Sequence, residues 1–171
     1  PSVFPPLPSG ITNLSYANSF KWNLSKGEDR YRRGLYTFFK RTSPHPNLLT
    51  FDCPDSNVAC VKRNRSNTPL AALVTLNNST FTEAAKALAK RILADAEKND
   101  RVRIAYGFRL CVSRSPTSHE ETAFKDLLAE SRSWYADHHE DAKAIAGDPE
   151  TAAWTATSRI LLNMDEFLTR E

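Results

Sequence analysis

Where the prolines fall limits this chain more than any other feature of its 171 residues. Pro1, Pro5, Pro6, Pro8, Pro44, Pro46 and Pro54 crowd the first third. There they remove backbone donors and forbid a continuous helix, while Gly10 and Gly27 permit turns. The three later prolines, Pro69, Pro116 and Pro149, stand beside helix-start residues instead: Thr68-Pro69, Pro116-Thr117 and Asp148-Pro149. Proline is at home in a first helical turn, where its missing N–H would be unpaired anyway. The spacing therefore predicts an irregular beginning and a helical remainder.

The remainder is rich in Ala, Leu, Glu and Lys and carries a helical period throughout. Thr68 caps a helix holding Leu70, Leu73, Val74 and Leu76, which ends at Asn77-Asn78. A helix over 79–98, starting at Asn78 or Thr80, places Phe81, Ala84, Ala85, Leu88, Ile92 and Leu93 inward. Asp100 is expected to cap a helix through Arg114 with Val102, Ile104, Ala105, Phe108, Leu110 and Cys111 as core. Thr117 and Glu120 have capping-box spacing and open a helix running to about Ala146, with Phe124, Leu127, Leu128, Ser131 and Tyr135 inside. Asp148 caps a final helix over Ala152–Leu162, and a last turn follows at 165–169. The expected fold is mainly α: an irregular proline-rich segment, 1–67, wrapped over a bundle of four to five helices in 68–171. Within 1–67 a short helix is expected over 29–41, with Tyr31, Leu35, Phe38 and Phe39 on one side. Residues 42–67 form a connection long enough to suggest function. The chain begins without Met, which suggests the C-terminal piece of a longer protein.

Charge is uneven. Residues 26–65 carry nine basic and four acidic side chains, set among Tyr31, Tyr36, Phe38, Phe39 and Phe51. Residues 115–171 carry five basic and twelve acidic ones. Such a dipolar chain can orient partners or join its own halves. The basic residues are interleaved with acids and aromatics outside any nucleic-acid module, which argues against nucleic acid as a partner. No run approaches the roughly 20 apolar residues of a membrane span. Cys53, Cys60 and Cys111 form neither a disulfide framework nor a metal spacing, although Cys53 and Cys60 are near enough in sequence to bridge a small loop. The chain lacks a CxxCH haem attachment, a glycine-rich phosphate loop and a GxGxxG, so no haem or nucleotide is expected in it.

Arg32, Arg33, Arg41, Arg63, Arg65 and Asn67 are the first candidate site. Guanidinium forks hold carboxylates or sulfates bidentately, and an amide serves hydroxyls. The structural alternative is that these arginines pair with Glu28, Asp29, Asp52 and Asp55 and staple the 42–67 connection. The same four acids offer a second candidate, as an acid–base pair or a calcium site, weighed against salt bridging. His45, between two prolines, is a better ligand candidate than the adjacent His138-His139, which cannot share a metal from one helical face. Trp22, Tyr31, Tyr36, Trp134 and Trp154 are read as core except Trp22, whose polar neighbours leave it as a stacking platform.

The segments PSVFPP (1–6), GEDRYRRGLYTFFKRTSP (27–44), FDCPDSNVACVKRNRSNTPLAALVTLNN (51–78), FTEAAKALAKRI (81–92) and SRILLNMDEFLTRE (158–171) resemble one family. It is the C-terminal domain of unknown function of planctomycete-type and verrucomicrobial cytochrome c-associated multidomain proteins. The chain departs from that pattern at Cys53, Ser79 and Ser118, where members commonly carry an apolar residue, a proline and a proline. The resemblance implies a secreted or periplasmic setting, no cofactor within this segment, and a haem c in another domain of the same polypeptide. It brings no catalytic residues. Two functions are then expected. One is an accessory module docking on other domains through 1–67. The other is part of a carbohydrate oxidoreductase site, with Arg63, Arg65, Asp52 and His45 on the substrate side.

Overall fold

The sequence boundaries between the two contact units of this chain fall at residues 74–81. The computed structural model describes residues 1–7, 21–41, 43–54, 56–62 and 66–169. Contacts divide them into two units, Pro1–Val74 with Asn78–Thr80, and Thr75–Asn77 with Phe81–Glu171. The mainly α expectation is met: eight α-helices and no named strand occur among the described residues. None of these helices is long and apolar enough to cross a membrane.

Unit 1 is organised by its first residues. Val3 forms a parallel bridge with Thr37, donating to the Tyr36 carbonyl at 2.8 Å and accepting from Phe38 N–H at 2.8 Å. Phe4 donates to Ser25 Oγ and accepts from Ser25 N–H, both at 2.9 Å. The helix expected over 29–41 does not form. Two 3-10 turns, Gly27–Tyr31 and Gly34–Tyr36, stand there, and extended chain follows. The reasons are local: Gly34 and the β-branched Thr37 are poor helix residues, and Val3 takes the Phe38 N–H that a helix would need. Gly27 opens the first turn at φ +59°. Gly34 allows a close approach, since a Cβ there would stand 2.9 Å from Leu48 Cδ2.

A short helix absent from the sequence reading, α1 (Pro46–Thr50), lies within the 42–67 connection. Pro46 occupies its first turn and Thr50 Oγ1 bonds back to the Pro46 carbonyl at 3.0 Å. Asp52 ends it in the left-handed region at φ 56°. Asp52 N–H reaches the Leu49 carbonyl and Cys53 N–H reaches Leu48, the paired bonds of a Schellman close. Next, α2 (Pro69–Asn77) starts on Thr68, whose hydroxyl accepts from Ala71 N–H.

Unit 2 holds the main core. α3 (Ser79–Asp95) starts on Asn78, whose side chain accepts from Thr80 N–H; Asn78, not Thr80, is the cap. α4 (Asp100–Val112) is capped by Asn99 rather than Asp100. α5 (Ser118–Asp137) has the complete Thr117–Glu120 capping box. The helix expected to reach Ala146 breaks at His138, and α6 (His139–Ile145) resumes after it. α7 (Pro149–Leu161) is capped by Asp148 and begins three residues earlier than expected; α8 (Asp165–Leu168) is the last turn. α7 packs against α4, α5 and α6. Ala152, Ala153, Trp154 and Thr155 are all fully buried, so one whole turn of α7 has no solvent face. Around it lie Ile92, Ile104, Phe108, Phe124, Leu128, Tyr135 and Leu161.

Candidate functional site

Arginine and tyrosine side chains displayed by the two 3-10 turns of unit 1 form the candidate surface. Residues 31–36 are all exposed, Leu35 to 83%. The Arg32 guanidinium lies 4.4 Å from the centre of the Tyr36 ring, and Arg33 lies 6.0 Å from the same ring. Arg30 stands 5.4 Å over Tyr31. Stacking on a ring holds a guanidinium in place while leaving its edge N–H groups for other partners. Arg32 also meets Asp29 Oδ1 at 3.6 Å, an exposed pair of small worth. The turns rest on the extended 36–38 segment bridged to Val3, and Gly34 is seated on α1 through Leu48.

The other expected site residues go elsewhere. Arg41 donates from Nε and Nη2 to Asn57 Oδ1 at 3.3 and 3.1 Å. Asp52 closes α1, and its carboxylate accepts from Ser66 N–H at 2.7 Å and Ser66 Oγ at 2.8 Å. Asn67 is exposed beside Ser66. His45 is only 3% exposed. Its Nδ1 accepts from Asn47 N–H at 3.2 Å, capping α1, so its Nε2 carries the hydrogen donated to the Pro6 carbonyl at 3.1 Å. Burial pushes the imidazole below its ordinary pKa, and the Pro6 bond opposes this more weakly. Arg63, Arg65 and Asp55 lie outside the described residues.

Trp22 is no free platform. Its Nε1 donates to the Pro5 carbonyl at 2.8 Å, and its ring packs edge-on to Phe4 at 5.1 Å and tilted to His45 at 5.7 Å. Tyr31, Tyr36 and Trp134, all read as core, are exposed instead, and Trp134 stacks on His138 at 3.7 Å and 6° between planes. Trp154 is buried as expected. Cys53, Cys60 and Cys111 are free thiols, and burial pushes Cys111 up to about 11, away from nucleophilic use. Among the described residues no three His, Cys, Asp or Glu side chains are placed to hold a metal.

Two arginine networks in unit 2 escaped the sequence reading. Arg132 forks onto Asp100 at 2.6 and 2.9 Å and onto Glu150 at 2.6 and 2.9 Å. Glu150 also accepts from Trp154 Nε1 at 3.0 Å. Arg114 forks onto Glu120 at 2.8 and 2.7 Å and onto Glu166 at 2.8 and 2.6 Å. These arginines lie against carboxylates on both edges, which marks them as staples between helices. An open depression beside Lys98 and Asn99 fares similarly, because Arg101 and Lys125 on its rim both reach Glu121.

A family model described as PSD1, protein of unknown function (DUF1553), matches residues 1–128. No curated protein and no solved structure matches the chain.

Proposed function

We propose, for a chain that belongs to the PSD1 family of proteins of unknown function (DUF1553), that unit 1 is a docking module whose contact surface is the Gly27–Tyr36 segment. The observation that carries this reading is the composition and display of that segment. Arg30, Arg32 and Arg33 are interleaved with Tyr31, Leu35 and Tyr36, and residues 31–36 face outward from a braced base. Tyr and Arg dominate binding hot spots because each brings large area or bidentate bonding at low conformational cost. The partner is an acidic polypeptide surface. Unit 1 spans ten basic and four acidic side chains, so complementary charge would steer association and make it salt-dependent.

Docking is supported over substrate chemistry by the employment of His45 and Asp52. Both close α1 and tie it to other parts of unit 1, leaving neither directed toward a reactant. The resemblance described above supplies a setting for the proposal: a longer secreted or periplasmic polypeptide that carries haem c in another domain, onto which this module docks.

The test is hydrogen exchange of residues 27–36 in the longest natural polypeptide that carries this sequence. Protection relative to the isolated chain is expected. It should fall at least tenfold in the variant R30E/R32E/R33E, while the thermal transition of unit 2 stays unchanged. Equal exchange of 27–36 in the long polypeptide and the isolated chain would overturn the reading.

A further inference from the structure

Four successive residues hold the base of the docking surface. Val3 bridges to 36–38, Phe4 exchanges bonds with Ser25, the Pro5 carbonyl takes Trp22 Nε1, and the Pro6 carbonyl takes His45 Nε2. Phe4, Trp22 and Phe38 then pack ring on ring at 5.1 to 6.4 Å. His45 is the one group in this brace whose bonding depends on a proton in the range of ordinary cellular pH. It is also the point where the brace meets α1, the helix that seats Gly34.

We propose that His45 is a proton-sensitive latch regulating the docking surface, closed when its ring is neutral and released when the ring takes a second proton. The inference rests on the docking reading for its purpose, and on the hydrogen bonds of the ring for its chemistry. In the closed state Nδ1 is an acceptor facing the Asn47 N–H. A proton from solvent bound there makes it a donor, so two N–H groups point at one another and the α1 cap is lost. The charge would also sit in a ring 3% exposed, against Trp22 and the Pro6 carbonyl. Among the described residues, no carboxylate stands on the segments around it to offset that charge. Residues 1–7 carry no ionisable side chain, 21–25 only Lys21, α1 none, and the 37–41 segment behind Trp22 only Lys40 and Arg41. Burial already holds the imidazole below its ordinary pKa. With the folded value lowered, the neutral ring stabilises the closed brace at pH above about 6.5, and that stability is lost as pH falls below it.

For a ring that titrates near 6.5 when released and stays neutral when latched, the open-to-closed ratio rises by up to about 30-fold between pH 7.5 and pH 5.0. Hydrogen exchange of the isolated chain, corrected for the intrinsic effect of pH, reads this ratio in peptides covering residues 1–7 and 46–53. The rise should be absent in His45→Asn, which keeps a capping oxygen but does not titrate. Nitrogen NMR of the unsubstituted chain gives a second readout. The His45 imidazole should remain an Nε2–H tautomer to well below pH 6.5. Corrected exchange that is flat with pH, a rise that persists in His45→Asn, or a His45 imidazole that titrates at 6.5 or above would each overturn the latch. None of these depends on a partner, so docking at pH 7.5 stands or falls separately.

Discussion

Replacing Glu120 by Gln isolates the charge in the Arg114 staple. Glu120 receives the Arg114 fork on both oxygens, and its Oε2 also accepts from Thr117 N–H at 2.7 Å and Thr117 Oγ1 at 2.8 Å. The Arg114 guanidinium is the chief reason its carboxyl is held down to about 2, from an ordinary 4.5. That difference corresponds to roughly 3.4 kcal/mol if unscreened. The side chains are 33% and 24% exposed, however, and solvent screening reduces the figure to about 1.5 kcal/mol. Gln serves the capping box nearly as well as Glu, so the Thr117 bond survives and only the ion pair is lost. Glu166 stays paired with Arg114 in both proteins. The expected loss is about 1.5 kcal/mol at pH 7, or a melting point lower by about 3–6 °C. A depressed carboxylate stabilises above its unfolded pKa, near 4.5, and that contribution is lost as pH falls toward 2. Urea unfolding followed at 222 nm should therefore show the gap between the two proteins closing from pH 5 to pH 2.5. A gap that is constant with pH, or absent at pH 7, would refute the reasoning.

Arg132→Met should cost more, about 2 kcal/mol at pH 7, because it removes the cation that bridges Asp100 and Glu150. Both carboxyls are held below their ordinary values by Arg132, so the loss should shrink as pH falls through 4, as urea titrations at several pH values would record. Gly107→Ala places a Cβ 2.9 Å from Leu161 Cδ1 and 3.2 Å from Ile92 Cδ1. Overpacking of about 1–3 kcal/mol should outweigh the helix preference for Ala, of about 1 kcal/mol, and lower the melting point. A raised melting point would mean that Leu161 turns away freely.

Helix starts were legible in the sequence because capping is local. Thr68, Thr117 and Asp148 each act within three residues of themselves, and all three cap as their spacing implied. Ile92, Ile104, Phe108, Phe124 and Leu128 were legible through their period. The staples were not. Arg132 finds Asp100 at a separation of 32 residues and Arg114 finds Glu166 at 52, distances over which no pattern constrains pairing. His45 and Asp52 were singled out in the sequence as candidate binding residues, and their bonds to the ends of α1 and to Pro6 and Ser66 were not legible there. The capping role of an imidazole and the left-handed turn at an aspartate depend on the local backbone, which residue type alone does not give. The aromatic spacing over 29–41 imitated a helix only because periodicity takes no account of Gly34 or of Val3 arriving from the side.

The brace at residues 3–6 also sets an order of events during synthesis. Val3 and Pro6 leave the ribosome before His45, and the carbonyl of Pro6 meets its imidazole only after the chain has grown by 39 residues. At roughly 5–20 residues per second that is a wait of several seconds. Pairs this far apart must also close a long loop before any bond rewards it. Unit 2, emerging later, is built from helices whose bonds lie within one turn and form in microseconds. Unit 1 is therefore the slower of the two units to close once its residues are present, and its apolar residues Val3, Phe4 and Leu7 are ones a nascent-chain chaperone would meet.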